Sequence, residues 1–221
     1  MAKKILLAID TCGSIGTIAL AQREGERLTV LATAELVGKT YAAMLVPSLR
    51  ALLEEQHSSL RDVEAIIVAH GPGSFTGVRV GVSAAKGLAE VFATPVIAVS
   101  RLRILAQKAG KAYAALDAGR GEFYFGSYGG SEDEALFSAD ELRAAVAVSE
   151  LAVCDDKAIA AFPEAHLTAA PTASDALAAA LARLSAGDFD DLASLDGNYL
   201  RRSDAELFGK SAAQTGKLQN A

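Results

Sequence analysis

The sequence is poor in the residues that most often mark a metal or disulfide protein. Its 221 residues include no tryptophan, two cysteines and three histidines, and aromatic residues make up 6%. We therefore expect a core built mainly from aliphatic side chains. Cys12 and Cys154 lie far apart, which favours buried thiols over a disulfide framework or a metal-ligand pair. No two histidines are three or four residues apart, so the sequence contains no zinc motif.

Long apolar runs and positive charge are also scarce. No run reaches the roughly 18 residues that a membrane helix requires, and Met1 to Lys4 lead into an apolar strand without the cleavage site of a signal peptide. These features favour the cytoplasm and give no reason to expect a membrane partner. The formal net charge is -6, which argues against a surface that grips a phosphate backbone by itself. We expect a partner to hold any nucleic acid.

Apolar runs and helical spacings predict an α/β protein with two lobes. Strands are predicted at 5–9, 17–21, 28–34, 65–70 and 96–99, with helices at 41–55 and 77–92, which gives the order βββαβαβ. The second half is predicted to contain helices at 101–109, 139–146 and 174–184 and strands at 113–116, 122–128 and 151–154. Ile5 to Asp10 and Tyr113 to Asp117 are both apolar strands that end in an aspartate and return as a second strand, which indicates a duplication. We divide the chain into lobes 1–100 and 101–208 and a flexible tail, 209–221.

The most distinctive stretch runs from His70 to Gly81 and joins a buried strand to a helix rich in small residues. Its spacing, Gly71-x-Gly73-x-x-x-Gly77, differs from the dinucleotide fingerprint, which has two residues before the last glycine. Pro72 is expected to push Gly71 towards an extended conformation, and Ser74 is expected to cap the helix. Two interpretations stay open. The glycines permit tight packing, or the start of the helix contacts an anion.

Three charged side chains are candidates for a specific role. Asp10 and Asp117 end strands that look equivalent, so they could flank a metal or phosphate cleft, although capping of their own loops is at least as plausible. Arg79 lies in the first turns of the second helix, where a cation opposes the helix dipole. Because it does not serve helix stability there, we regard it as the best candidate for a specific polar contact.

Four motifs together resemble the TsaB family, also called YeaZ: Ile9-Asp10-Thr11, Gly71 to Gly81, Asp117 to Glu122, and Tyr199 to Arg201. The resemblance covers residues 4–202. It implies an α/β fold with two actin-like (ASKHA, ribonuclease H-like) lobes, built from duplicated βββαβα units with a reduced second lobe. It also implies a paralogue of TsaD that is needed to form threonylcarbamoyladenosine next to the anticodon of tRNAs that read ANN codons.

The resemblance further implies a non-catalytic subunit with no catalytic or metal-binding residue of its own. It implies a heterodimer with TsaD, an assembly with TsaE, a homodimer in isolation, and tRNA contact only through the complex. No cofactor is expected on this chain alone, while ATP and magnesium are expected to serve the partner subunits. The predicted partner-binding residues are Met44, Leu45, Val78, Arg79, Val82 and Ala85. The residues predicted near the glycine turn or a nucleotide are Asp10, Thr11, Gly71, Gly73, Ser74, Thr76 and Gly77.

The sequence departs from this pattern in two places. TsaD-like enzymes carry a His-x-x-x-His metal pair on the helix after the fifth strand. The corresponding residues of this chain, Ser100 to Leu105, contain no histidine, which supports a non-catalytic role. Many TsaB proteins carry a His-Ser pair where this chain has Tyr41-Ala42, so the contribution of that pair cannot be transferred. The alternative hypothesis, motivated by Asp10 and Asp117, is an enzyme of the actin-like fold, either an ATP-dependent phosphotransferase or a metallopeptidase-like protein.

Overall fold

The computed structural model describes residues 4–37, 40–130 and 132–201. Its first half forms a five-stranded sheet in the order β3-β2-β1-β4-β5. The strands are β1 (Ile5–Asp10), β2 (Ile15–Glu24), β3 (Arg27–Val37), β4 (Val63–Ala69) and β5 (Val96–Val99). Strands β1, β4 and β5 are parallel, while β2 and β3 return antiparallel. The continuous apolar runs of β1 and β4 fit their central places, because these strands are covered on both faces.

Two helices connect the strands of this sheet. The first, α1, spans Tyr41–Glu55, as predicted, and continues through Pro47. The second, α2, spans Phe75–Phe92 and begins two residues earlier than its spacing predicted. Ser74 caps α2 by accepting a hydrogen bond from the amide of Gly77 at 3.3 Å, which confirms the predicted capping role.

The second half forms another five-stranded sheet, in the order β10-β9-β6-β7-β8. Its strands are β6 (Tyr113–Gly119), β7 (Glu122–Ser127), β8 (Asp133–Ser138), β9 (Leu151–Val153) and β10 (His166–Leu167). The helices are α3 (Arg101–Ala109), α4 (Ala139–Ala145), α5 (Asp156–Ala161) and α6 (Ala173–Ala186). Strands β8 and β10 and helix α5 were not predicted, because each is short and lacks a periodic apolar pattern.

The two sheets repeat one topology. Strand β1 pairs antiparallel with β2 and parallel with β4, and β6 likewise pairs antiparallel with β7 and parallel with β9. The order β8-β7-β6-β9-β10 therefore reproduces β3-β2-β1-β4-β5, with shorter strands at one end. This agreement confirms the duplicated, two-lobed actin-like fold with a reduced second lobe.

Helix α6 returns from the second half of the chain to the first sheet. Its buried residues lie in the same core cluster as Ile5 and Ile66, and they are Ala173, Ala176, Leu177, Ala180 and Leu184. The predicted division at residue 100 falls between β5 and α3. Helix α6 lies after this division in the sequence, but it packs on strands that lie before the division.

The segment after α6 forms a strap, residues 187–201, along the edge of the first sheet. The amide of Asp190 donates to the carbonyl of Val96 at 2.9 Å, and the Asp190 carboxylate accepts from the amide of Ala98 at 2.7 Å. The strap then reaches the glycine turn, where the amide of Asn198 donates to the carbonyl of His70 at 2.7 Å. The predicted tail, 209–221, lies outside the described residues. Among the helices that are described, none is both long and apolar enough to cross a membrane.

Candidate functional site

The glycine turn has a defined and unusual backbone. Gly71 has φ of 108° and its bond to Pro72 is cis. The expectation that Pro72 holds Gly71 extended is therefore wrong, because Gly71 adopts a left-handed φ that glycine reaches without a steric penalty. A side chain at Gly71 would also meet the carbonyl oxygen of Asn198 at 3.1 Å. The turn thus needs glycine here for both its conformation and its contact with the strap.

The other glycines of the turn let α2 pack directly on the loop after β1. A Cβ atom at Gly77 would lie 1.9 Å from the carbonyl oxygen of Thr11, and one at Gly73 would lie 2.4 Å from that of Cys12. The hydroxyl of Thr11 donates to the carbonyl of Gly77 at 2.6 Å, and the amide of Ser74 donates to the carbonyl of Cys12 at 2.8 Å. Because the two backbones touch, no phosphate fits between them. The geometry favours the packing interpretation.

Asp10 and Arg101 form a buried ion pair between the end of β1 and the start of α3. The carboxylate accepts from the guanidinium Nε at 3.2 Å, and the two residues are 1% and 7% exposed. The other carboxylate oxygen of Asp10 accepts from the amide of Cys12 at 2.8 Å. Burial is the largest single influence and lowers the pKa of Arg101, but the charge of Asp10, the two nearby cysteines and the hydrogen bond to Asp10 together outweigh it, so that the pKa is raised. The charge of Asp10 is thus neutralised by Arg101 within the chain. A cation that bound the Asp10 carboxylate would have to compete with Arg101.

Asp117 does not join this pair. Its carboxylate binds Lys157 at 2.8 Å and accepts from the amide of Gly119 at 3.0 Å. Burial raises the pKa of Asp117, while these two hydrogen bonds and the charge of Lys157 lower it, with a net decrease. The loop-capping interpretation therefore describes Asp117 better than a carboxylate pair does. Within residues 4–37, 40–130 and 132–201, no three His, Cys, Asp or Glu side chains come together as a metal site.

A cleft of about 800 Å³ separates the two lobes beside these ion pairs. Ser14, Ser74 and Arg101 line it from one side, and Asp117 and Lys157 line it from the other. Both cysteines also line the cleft. Burial raises the pKa of the Cys12 thiol, and burial raises that of Cys154 to about 11. Both thiols are thus protonated near neutral pH and are poor nucleophiles.

The structure divides the six predicted partner-binding residues into two groups. Met44 is 46% exposed and Arg79 is exposed. Four others are buried by the chain itself, namely Leu45 at 1%, Val78 at 1%, Val82 at 6% and Ala85 at 0%. The small-residue face of α2 packs on the chain's own core rather than facing outward, so these four residues cannot form an outer surface in this fold. That part of the site prediction is corrected.

An exposed aromatic residue that is not among the predicted site residues lies next to Arg79. Phe75 is 41% exposed, and the guanidinium carbon of Arg79 lies 3.9 Å from the centre of its ring. The ring of Tyr199 in the strap lies 5.2 Å from the same ring. We call Phe75, Arg79 and Tyr199 the Phe75 cluster. The sequence contains a signal for part of this cluster, because Phe75 and Arg79 are four residues apart and therefore lie on one face of a helix.

A further exposed apolar pair lies near the start of α1. Ile15 and Val37 are 49% and 70% exposed and are paired across the β2–β3 ladder. The hydroxyl of Tyr41 donates to the carbonyl of Ser14 at 2.6 Å, which places this end of the ladder beside α1. Exposed apolar side chains therefore occur at the starts of both α1 and α2.

Two lobes of the same βββαβα topology on either side of a cleft define a protein of the actin-like class. A family model described as "TsaD: tRNA N6-adenosine threonylcarbamoyltransferase" matches residues 33–206. The chain is 32% identical to a solved structure from Pseudomonas aeruginosa described as an uncharacterized protein with similarity to peptidase YEAZ, with a TM-score of 0.73 over 90% of this chain and 100% of that one. For the structure "YeaZ from Pseudomonas aeruginosa", the identity is 28% and the TM-score 0.69, over 89% and 100% of the two chains.

Curated relatives give the same result. The chain is 38% identical to "tRNA threonylcarbamoyladenosine biosynthesis protein TsaB" of Escherichia coli K12 over 129 residues, which are 56% of this chain and 54% of that protein. The identity to the protein of the same name from Bacillus subtilis 168 is also 38%, over the same shares. The match thus spans about half the length of these relatives. The chain belongs to the TsaB (YeaZ) family, within the wider family that the TsaD model describes.

Proposed function

We propose that this protein takes part in threonylcarbamoyladenosine biosynthesis on tRNA as a non-catalytic subunit that docks on a TsaD-type partner. The printed names of the curated relatives support the pathway. The observation that carries the docking proposal is the exposure of Met44 and Phe75 at the starts of α1 and α2, since exposed apolar side chains beside an arginine are typical of interface centres.

The arrangement of the cleft supports the non-catalytic part of the proposal. Asp10 is held by Arg101, and the glycine turn is filled by the loop after β1. Both features support a cleft whose carboxylate and glycine turn are already engaged within the chain. ATP and magnesium then act on the partner subunits, which include a TsaE-type protein, and tRNA is contacted only through the complex.

We expect the docking surface to consist of Met44, Phe75 and Arg79, bordered by Ile15 and Val37. A specific interface of this kind buries about 800 Å² on each partner. Because the partner is homologous, the same surface of a second copy is an alternative occupant. We therefore expect a homodimer in isolation that the TsaD-type partner displaces.

The docking proposal is tested by titrating the TsaD-type partner with Met44→Asp and Phe75→Asp variants in a calorimeter. Each substitution places a charge in an apolar contact, so we expect affinity to fall by at least about 30-fold, as for an interface hot spot. Val91→Asp is the matched control, because Val91 is 74% exposed at the far end of α2. Unchanged binding by both Met44→Asp and Phe75→Asp would refute this surface.

The pathway is tested separately in cells of the source organism. Depletion of the protein, followed by mass spectrometry of bulk tRNA, should lower the amount of threonylcarbamoyladenosine. Re-expression of the wild-type chain should restore it. An unchanged level after depletion would exclude the pathway, whatever the outcome of the docking titration.

A further inference from the structure

The strap, residues 187–201, contacts both lobes. On the first lobe, the carbonyl of Leu195 accepts from the ammonium group of Lys86 in α2 at 2.9 Å, and the amide of Asn198 donates to the carbonyl of His70. On the second lobe, the side-chain amide of Asn198 donates to the carboxylate of Glu134 in β8. The strap thus joins the glycine turn before α2 to the second sheet.

The strap is anchored at its end by Arg201. The guanidinium of Arg201 donates to the carbonyl of Gly119 at 3.1 Å and pairs with the carboxylate of Glu122. Gly119, Arg120 and Gly121 all have positive φ, at 76°, 61° and 79°, so the turn between β6 and β7 has a particular shape that presents this carbonyl. The Arg201 side chain is 22% exposed, and it binds a turn of the second lobe rather than the docking surface.

Between these anchors lies Tyr199, the strap's contribution to the Phe75 cluster. Gly197 is fitted closely beside it, because a Cβ atom there would lie 2.6 Å from both the Tyr199 ring and a methyl group of Val78. Arg201 is two residues from Tyr199, so a shift of the Arg201 anchor moves the ring that packs on Phe75. Phe75 in turn stacks with Arg79.

We propose that Arg201 is a positioning residue that couples the second lobe to the docking end of α2 through the strap. The inference rests on the proposed docking surface and extends it: partner affinity depends on a residue that lies outside that surface. By linkage, partner binding strengthens the Arg201 anchor by the same factor that the anchor strengthens binding.

The first test needs no partner. The chain contains no tryptophan, so Phe75→Trp places a single tryptophan at the cluster, and its fluorescence can be excited selectively over that of the tyrosines. Adding Arg201→Gln should shift its emission to longer wavelength and raise its quenching by iodide, because the ring of residue 199 no longer covers residue 75. Lys111→Gln is the matched control, since Lys111 pairs with Glu150 in the second lobe and its side chain is also 22% exposed. Equal spectra for the Arg201→Gln and control proteins would overturn the coupling even if docking is correct.

The second test uses the partner and the chain with Phe75 intact. We expect Arg201→Gln to lower affinity for the TsaD-type protein by about 3- to 10-fold, within the usual range for long-range coupling. Arg201→Lys, which keeps one charged donor, should recover part of the loss. In hydrogen exchange, the amides of 119–122 should become more protected when the partner binds the wild-type chain. Unchanged affinity in Arg201→Gln, with Phe75→Asp still defective, would overturn this inference while leaving the docking surface in place.

Discussion

At the scale of single residues, the Asp10–Arg101 pair decides how the cleft is interpreted. Asp10 ends an apolar strand, so the sequence correctly drew attention to it, but its cation comes from 91 residues further along the chain. Only the three-dimensional structure reveals such a long-range partner. The same limit explains why Asp117 was grouped with Asp10, although it pairs with Lys157.

Removing Arg101 should destabilise the protein strongly. Arg101→Met leaves the Asp10 carboxylate buried without its cation, and breaking a buried pair in this way costs about 3–5 kcal/mol. The double variant Asp10→Asn/Arg101→Met removes both charges, so its loss should be clearly smaller than the sum of the two single losses. Urea unfolding at pH 7 measures the free energy of unfolding of Arg101→Met, of Asp10→Asn and of the double variant. Additive losses would show that the two groups do not stabilise each other.

At the scale of elements, α2 shows what periodicity can and cannot predict. Its existence and length followed from an uninterrupted run after a glycine turn, and only its first two residues were missed. The orientation of its faces was assigned incorrectly, because small residues suit an outer interface and close packing on the chain's own loop equally well. The choice depends on Thr11 and Cys12, which a single-sequence pattern does not place beside α2.

Two glycines of α2 provide a matched comparison. Gly77→Ala forces a methyl group into the carbonyl of Thr11 and disturbs the hydrogen bond from the Thr11 hydroxyl, so we expect the free energy of unfolding to fall by several kcal/mol. Gly87 has no atom within 4 Å of the corresponding position, so Gly87→Ala should raise stability by up to about 1 kcal/mol. Chemical denaturation of both variants gives the comparison. A Gly77→Ala protein as stable as the wild type would contradict the close packing described for the turn.

At the scale of the whole molecule, the duplication could be inferred from one repeated feature, an apolar strand that ends in aspartate and returns as a hairpin. The family resemblance supplied the repeated βββαβα order, but neither it nor the sequence pattern indicated β10, which is only two residues long. Neither source indicated that α6 packs on the first sheet. An alanine-rich amphipathic helix predicts that one face is buried, but it does not specify the sheet that buries it.

The position of α6 predicts that residues 4–100 do not fold alone. Without Leu177 and Leu184, one face of β1 and β4 would lie in water, so this fragment should lack a cooperative thermal transition. A fusion of residues 4–100 to 172–187 through a flexible linker restores that cover and should unfold cooperatively. Circular dichroism on heating distinguishes the two proteins. A fragment that melts like the fusion would show that α6 is dispensable for the first sheet.

The return of α6 also has a consequence for synthesis on the ribosome. Translation delivers β1 to β5 first, and the helix that completes their core follows only after the whole second sheet has been made. From the completion of β5 until α6 emerges, the nascent chain therefore exposes an apolar face of the first sheet. Its final folding step joins segments more than 100 residues apart, which is slow compared with local closure. We expect a chaperone that binds nascent chains to contact this face of the first sheet for longer than any other apolar surface of the protein.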